Sequence, residues 1–291
     1  MSKQPIRKAI LPVAGFGTRF LPATKAQPKE MLPLVDTPVI QYLVEEAVNS
    51  GIEQIIFVTG RSKRALEDHF DSHYELECLL EDKGKREALQ EVQSLTNMAE
   101  FFYVRQKQPR GNGDAILSAK NLVGNEPCAV LFGDDLVNAE PPALQQLINV
   151  YEQYEDPVIA LTSVPHQQVS KYGIVEGETD DNTLFKLRDF KEKPDPTETD
   201  SSQAVIGKYV ITPDFFDKLE EMKGSVEGEL GMDNAVNALL GERDLYGLEV
   251  EGTRYDCGDK LGYIQATIDY ALKHETIGDG VKDYLKSLNL D

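Results

Sequence analysis

From residue 8 to about residue 165, short β-rich runs alternate with segments of helical spacing, and this rhythm restricts the fold more than any other feature of the chain. "KAILPV", "QIIFVT", "FFYVRQ", "CAVLFGDD" and "PVIALTSV" read as strands. Among them "PVIQYLVEEAVNSG", "DAILSAKNLV" and "PPALQQLINVYEQY" carry the apolar periodicity of helices. Such alternation predicts an α/β fold: a Rossmann-like, mostly parallel sheet flanked by helices on both faces. Residues 62–98 predict a charged helical excursion over one side.

The pattern then changes. "YGIVEGETDDNTLFKLRDFKEKP" is two extended runs joined by polar turn residues, which predicts a hairpin. "AVIGKYVIT" is a further strand, and "PDFFDKLEEM" and "MDNAVNALLGE" are helices. "LYGLEVEGTRYDCGD" reads as a strand pair leading into the long helix "LGYIQATIDYALKHE", and "GDGVKDYLKSLNL" ends the chain in a short one. No linker rich in Gly, Ser or Pro interrupts the chain, and no repeat is visible. The expectation is a single domain over 1–291. It comprises an α/β half at 1–165, a half at 166–257 with an inserted β region around 172–210, and helices at 258–291.

The first strand runs into "GFGTRF". A Rossmann fingerprint needs a third glycine where Phe20 stands, and no GxxxxGK[ST] string occurs, so a dehydrogenase and a P-loop enzyme are both disfavoured. Pro22, Pro28 and Pro33 oppose a long helix directly behind the turn. An anion held there would rely on the backbone N–H groups of the turn, Gly17 and Thr18 included, and on the cations that follow. Arg19 offers a bidentate fork; Lys25 and Lys29 offer point charges. Charge sharpens the point. The chain carries a formal −20, which repels nucleic acid and anionic lipid, yet Arg7, Lys8, Arg19, Lys25 and Lys29 all precede Glu30, the first acid. A solvated basic face is the plain alternative.

The strand "AVLFGDDL" ends in Asp134 and Asp135, and "TRYDCGD" places Asp256 after a short strand and before a glycine. Each aspartate alone fits a helix cap or a turn. Beside a phosphate-binding loop, Asp134 and Asp256 are two hard oxygen ligands that phosphate oxygens and water would complete into an Mg²⁺ site. Asp135 is expected to face away or to cap the segment after it. Cys78, Cys128 and Cys257 are odd in number and widely spaced, which fits a reduced cytoplasm. No apolar run is long enough to span a membrane, and the N-terminal residues lack the pattern of a secretory signal.

"LPVAGFGTRFLPATKAQPKEMLPLVDTPVIQYLVEEAVNSGI", "VRQKQPRGNGDAI", "FGDD", "YGIV", "FKEKP", "IGKYVITPDFF" and "RYDCGD" run in order from residue 9 to about 270. Together they resemble the signature of the sugar-1-phosphate nucleotidylyltransferases, above all the bacterial members that use UTP and glucose 1-phosphate. The resemblance implies uridylyl transfer to glucose 1-phosphate, giving UDP-glucose and pyrophosphate, with Mg²⁺ as cofactor. It makes 1–165 the nucleotide-binding half and 166–257 the sugar-binding half, and it suggests a homodimer or homotetramer. By motif match, Ala14, Gly15, Gln106 and Gly111 would read the uracil. Arg19, Lys29 and Lys25 would bind the triphosphate. Gly173 and Glu192 would meet the sugar, and Lys193 its phosphate. Asp134 and Asp256 would hold the metal.

The chain departs from the family pattern at "GNGDA", where "GLGHA" is common, and at "GELGMDNAV", where "GEIQLTDAI" is more usual. Gly231 is unexpected there, and Glu229 and Asp233 are read as capping rather than catalytic. Another nucleotide or sugar phosphate, or a binding module without turnover, are the rival readings.

Overall fold

The computed structural model describes residues 4–179, 183–225 and 228–289. Its centre is a nine-stranded sheet in the order Glu100–Arg105, Gln54–Thr59, Lys8–Pro12, Cys128–Leu131, Gln203–Ile211, Val158–Ser163, Tyr246–Glu249, Leu184–Glu192, Gly173–Thr179. The first four strands are mutually parallel, with Ile10 aligned to Ile56 on one side and Val130 on the other. Gln203–Ile211 then enters antiparallel to both its neighbours, so the sheet as a whole is mixed.

Alternation along each strand supplies two cores. Ala9 and Leu11 pack with helix Val39–Asn49 and helix Ala143–Tyr154 on one face. Ile10, Ile56 and Val130 pack on the other with Asn112–Leu117, Pro213–Met222 and Met232–Leu239. Helix Val39–Asn49 buries Val39, Ile40, Leu43, Val44 and Ala47 as a single stripe. Each of its larger apolar side chains contributes about 1.5–3 kcal/mol on burial. The charged excursion is three helices, Arg64–Phe70, Tyr74–Asp82 and Arg86–Thr96.

The hairpin strands pair as expected, from Glu192 against Gly173 to Phe185 against Thr179; residues 180–182 of its turn lie outside the described residues. The hairpin extends the main sheet at its far edge. The two strands of "LYGLEVEGTRYDCGD" do not pair with each other. Tyr246–Glu249 joins the main sheet, whereas Thr253–Asp256 pairs antiparallel with Asp135–Asn138 and sets Asp256 opposite Asp135. This small ribbon brings the second carboxylate motif to the first.

Candidate active site

The carboxyl ends of the four parallel strands deliver the glycine turn, Gly60, the Gln106–Gly111 loop and Phe132–Asp134 to one edge, where ligands of open α/β sheets bind. Behind the turn, as the prolines require, the chain forms three one-turn 3₁₀ segments, Thr18–Phe20, Ala23–Lys25 and Lys29–Met31, and no long helix. Thr24 Oγ1 braces the turn by donating to Gly17 O at 2.7 Å. Phe20, which stands where a third glycine would, packs edge-on against Tyr263 of helix Lys260–Lys273, with ring centroids 5.5 Å apart.

Three cavities share this edge. One of about 260 Å³ is lined by Ala14, Gly15, Gln106 and Gly111, together with Phe16, Lys29, Asn112, Asp134 and Glu229. A second, of about 230 Å³, is lined by Gly17, Thr18, Arg19, Phe20, Lys29, Asp134 and Gly258. A third, of about 250 Å³, includes Arg19, Asp134, Asp135, Gly173, Glu192, Arg254 and Asp256 in its wall. Asp134 lines all three. Arg19 lines the second and third, and its Nη1 donates to Gly258 O at 3.4 Å.

Lys29 forms an ion pair with Asp134. Burial lowers the Lys29 pKa, but Asp134 and Glu30 outweigh it and hold the ammonium above its ordinary value. Beneath it Lys63 Nζ donates to Glu30 Oε2 at 2.8 Å in a buried pair. Burial pushes Glu30 up and Lys63 down despite their attraction. Asp256 is raised by burial and then by the nearby Asp135 and Asp134 carboxylates. The two expected metal ligands flank Gly258: a Cβ there would collide with Asp134 Oδ2 and lie 3.0 Å from Asp256 Oδ1. Among the described residues no group of three or more His, Cys, Asp or Glu could hold a metal ion. A divalent ion at Asp134 and Asp256 therefore fits only with oxygens from a phosphate ligand or water completing its shell.

Asp135 neither faces away nor caps. Its carboxylate accepts from Arg254 Nε at 2.8 Å, Arg254 Nη2 at 3.0 Å and Gly207 N at 2.9 Å. The Arg254 guanidinium also lies 5.4 Å from the Tyr172 ring centroid. Sequence reasoning passed over Arg254. The available signal was period-two spacing, which puts Arg254 on the same strand face as Asp256.

Two expected residues are not brought in. Lys25 is exposed and lines none of the three cavities. Lys193, with φ +49°, directs its ammonium to Glu192 Oε1 at 2.9 Å and likewise lines none of them. Asp233 is not the cap of its helix; Gly231 holds that position, and Asn234 Oδ1 accepts from Gly231 N at 2.8 Å. Gly231 also belongs to a zip between two distant segments: Gly113 N donates to Leu230 O at 2.9 Å, and Met232 N to Asn112 Oδ1 at 2.9 Å. Gly111 has φ +107°, and a Cβ on it would collide with Leu230 O, so glycine is required there.

The nucleotidyl transferase family model matches residues 8–273. The chain belongs to the nucleotidyl transferase family. This nucleotidyl transferase is 47% identical over 285 residues to a UTP–glucose-1-phosphate uridylyltransferase of Staphylococcus epidermidis, covering 98% of this chain and 99% of that one. It is 49% identical over 284 residues to UTP–glucose-1-phosphate uridylyltransferase 1 of Staphylococcus saprophyticus, with 98% and 99% covered. A UTP-bound UGPase from Acinetobacter baumannii superposes with a TM-score of 0.91 at 38% identity, over 98% of this chain and 100% of that one. A UDP-glucose pyrophosphorylase complexed with UDP-glucose superposes with a TM-score of 0.84 at 42% identity, over 92% and 100%.

Proposed function

We infer that this nucleotidyl transferase moves the uridylyl group of UTP onto glucose 1-phosphate, releasing pyrophosphate and forming UDP-glucose. The observation that carries the reading is the junction of three cavities at Asp134, in a chain that matches uridylyltransferases almost end to end. In the first cavity the backbones of Ala14, Gly15 and Gly111 and the amide of Gln106 read the uracil. In the second, Gly17 and Thr18 offer backbone N–H groups, and Arg19 and Lys29 hold the triphosphate. Lys25 stands outside these cavities and adds its charge only at long range. In the third, Gly173 brings backbone to the sugar and Glu192 accepts from its hydroxyls. A Cβ at Gly173 would lie 3.2 Å from Glu192 Oε2, so both address one spot. Lys193 is assigned to the phosphate of glucose 1-phosphate. Exchanging Glu192 for that phosphate frees the carboxylate for the sugar.

A phosphate oxygen of the sugar phosphate attacks the α-phosphorus in line, and pyrophosphate leaves. The attacking oxygen is already an anion, so no general base is required. The obstacle is repulsion: at 4 Å two like charges repel by about 4 kcal/mol at an effective dielectric of about 20. Arg19, Lys29 and Lys193 offset this, and the pocket walls hold the reacting groups in place. A divalent cation between Asp134 and Asp256, taken here as Mg²⁺, would neutralise phosphate charge when bound.

We further propose that 1–291 is one domain, with its halves at 1–165 and 166–257 sharing a continuous sheet and its helices at 258–291. No helix among the described residues is long and apolar enough to cross a membrane, and Cys78, Cys128 and Cys257 are free thiols; both support a cytoplasmic enzyme. Self-association through the C-terminal helices is supported by an exposed stripe on Lys260–Lys273: Leu261, Ile264, Ile268 and Leu272.

The test is pyrophosphate release from UTP, dTTP and CTP, each with glucose, galactose and glucosamine 1-phosphates, with and without Mg²⁺. UTP with glucose 1-phosphate and Mg²⁺ is expected to be fastest. No release from that pair would overturn the reading.

A further inference from the structure

We propose that Asp114 is a specificity-determining residue: it fixes which end of the Gln106 amide faces the base, and so selects pyrimidines that carry an N3–H. The proposal rests on the assignment of the first cavity to the base.

Gln106 follows strand Glu100–Arg105, and its backbone N–H donates to Thr59 O at 2.9 Å, which fixes the root of the side chain. Its Nε2 donates twice, to Gly111 O at 3.1 Å and to Asp114 Oδ2 at 3.1 Å. An amide nitrogen carries two protons, and both are used. Both partners are acceptors only: a backbone carbonyl and a carboxylate. Turning the amide over would set Oε1 against two oxygens, leave Gly111 O with Ala115 N alone at 3.3 Å, and take the Gln106 donor from Asp114, which is only 8% exposed. The orientation is therefore forced. Oε1 remains as the one hydrogen-bonding atom of the amide not engaged by this pair, and Gln106 lines the cavity.

What Gln106 presents to a ligand is thus an acceptor without a donor. Uracil and thymine offer a donor at N3 flanked by acceptors at O2 and O4. Cytosine has a lone pair at N3, which an amide oxygen repels. An unconstrained glutamine could turn its amide and serve either base. Asp114 removes that freedom, and it does so from outside the base contacts. The carboxylate is itself steadied by Lys223 Nζ, 3.8 Å from Oδ1, and by its seat in helix Asn112–Leu117. Asp114 stands in the stretch "GNGDA", three residues after Gly111, so both acceptors for the amide come from one short segment.

The same geometry predicts what Asp114 leaves unsorted. UTP and dTTP share the N3–H edge and are not told apart by this device.

The experiment compares kcat/KM for UTP, CTP and N3-methyl-UTP in the wild type, Asp114→Asn and Asp114→Ala, at saturating glucose 1-phosphate. The wild type is expected to reject CTP and N3-methyl-UTP by tenfold or more. In both variants the UTP-to-CTP ratio is expected to fall about tenfold, mainly through the gain on CTP, with the KM for glucose 1-phosphate unchanged. A merely structural role would lower all nucleotides together and leave the ratio alone; that result overturns the proposal. Wild-type use of N3-methyl-UTP as readily as UTP overturns it too, and needs no variant to fold. Failure of the functional reading looks different: the wild type then releases no pyrophosphate from UTP and glucose 1-phosphate at all.

Discussion

Lys29 and Asp134 hold each other's charge across the junction of the cavities, and Asp256 stands raised beside them by burial and by its carboxylate neighbours. Asp134→Asn and Asp256→Asn are each expected to lower kcat by about 100-fold or more, the scale of losing one electrostatic stabiliser, with the far-UV circular dichroism unchanged. Wild-type turnover in both variants would remove the cation from this pair. At the opposite end of the molecule Asp214 accepts from Thr212 and, at 2.7 Å, from Arg243. Burial alone would raise its pKa, but these bonds hold it below the ordinary carboxylate value. Its contribution to stability is therefore complete above the unfolded value of about 3.9 and is lost as pH falls through the lower folded value. The melting-temperature gap between wild type and Asp214→Asn should be full near pH 7 and shrink below about pH 4. A gap that stays constant down to pH 3 would contradict this.

Helix Val39–Asn49 is tied to two other elements through one carboxylate. Glu46 Oε2 accepts from the buried Lys208 Nζ at 2.7 Å, and Glu46 Oε1 accepts from Leu144 N at 3.0 Å, at the start of helix Ala143–Tyr154. Lys208 is 0% exposed and also donates to Asp135 O at 3.1 Å, so its loss reaches the active-site ribbon. Lys208→Ala leaves the largely enclosed Glu46 carboxylate without its cation and is expected to cost about 3–5 kcal/mol. The double change Glu46→Gln with Lys208→Met removes both charges, keeps an acceptor for Leu144 N, and should cost less than half as much. Urea denaturation midpoints read both; equal costs would show that neither the stranded charge nor the lost volume dominates, but the hydrogen bonds of Lys208 that both variants lose. At this scale the strands, the 62–98 helices and the hairpin were legible because each rests on local periodicity. The place of Gln203–Ile211 between Cys128–Leu131 and Val158–Ser163 was not, because pairing between strands so far apart leaves no local pattern.

At the scale of the whole molecule, helix Lys260–Lys273 carries an exposed apolar stripe. Leu261 is 66% and Ile264 52% exposed, on the same face as Ile268 and Leu272. Packed against a second copy, this stripe would leave water, and the family resemblance to dimers and tetramers would have its physical basis. Ile264→Glu is expected to shift the protein toward the monomer mass in light scattering while its unfolding stays cooperative. A wild-type protein already monomeric at micromolar concentration would end the proposal.

The sequence by itself determined the α/β architecture, the glycine turn with its following cations and no long helix behind it, and the two aspartate motifs, because each follows from residues a few positions apart: periodicity, glycine and proline geometry, and the charge of near neighbours. Only the tertiary structure decided which of these groups work together. It gave Asp135 to Arg254, 119 residues away, turned Lys193 onto Glu192 and left Lys25 in solvent. It also set the Gln106 amide through Asp114 and Gly111, in a loop whose shape depends on Leu230. The physical reason is that a side chain's type is written in the chain, whereas its partner is whatever long-range packing places within hydrogen-bonding distance.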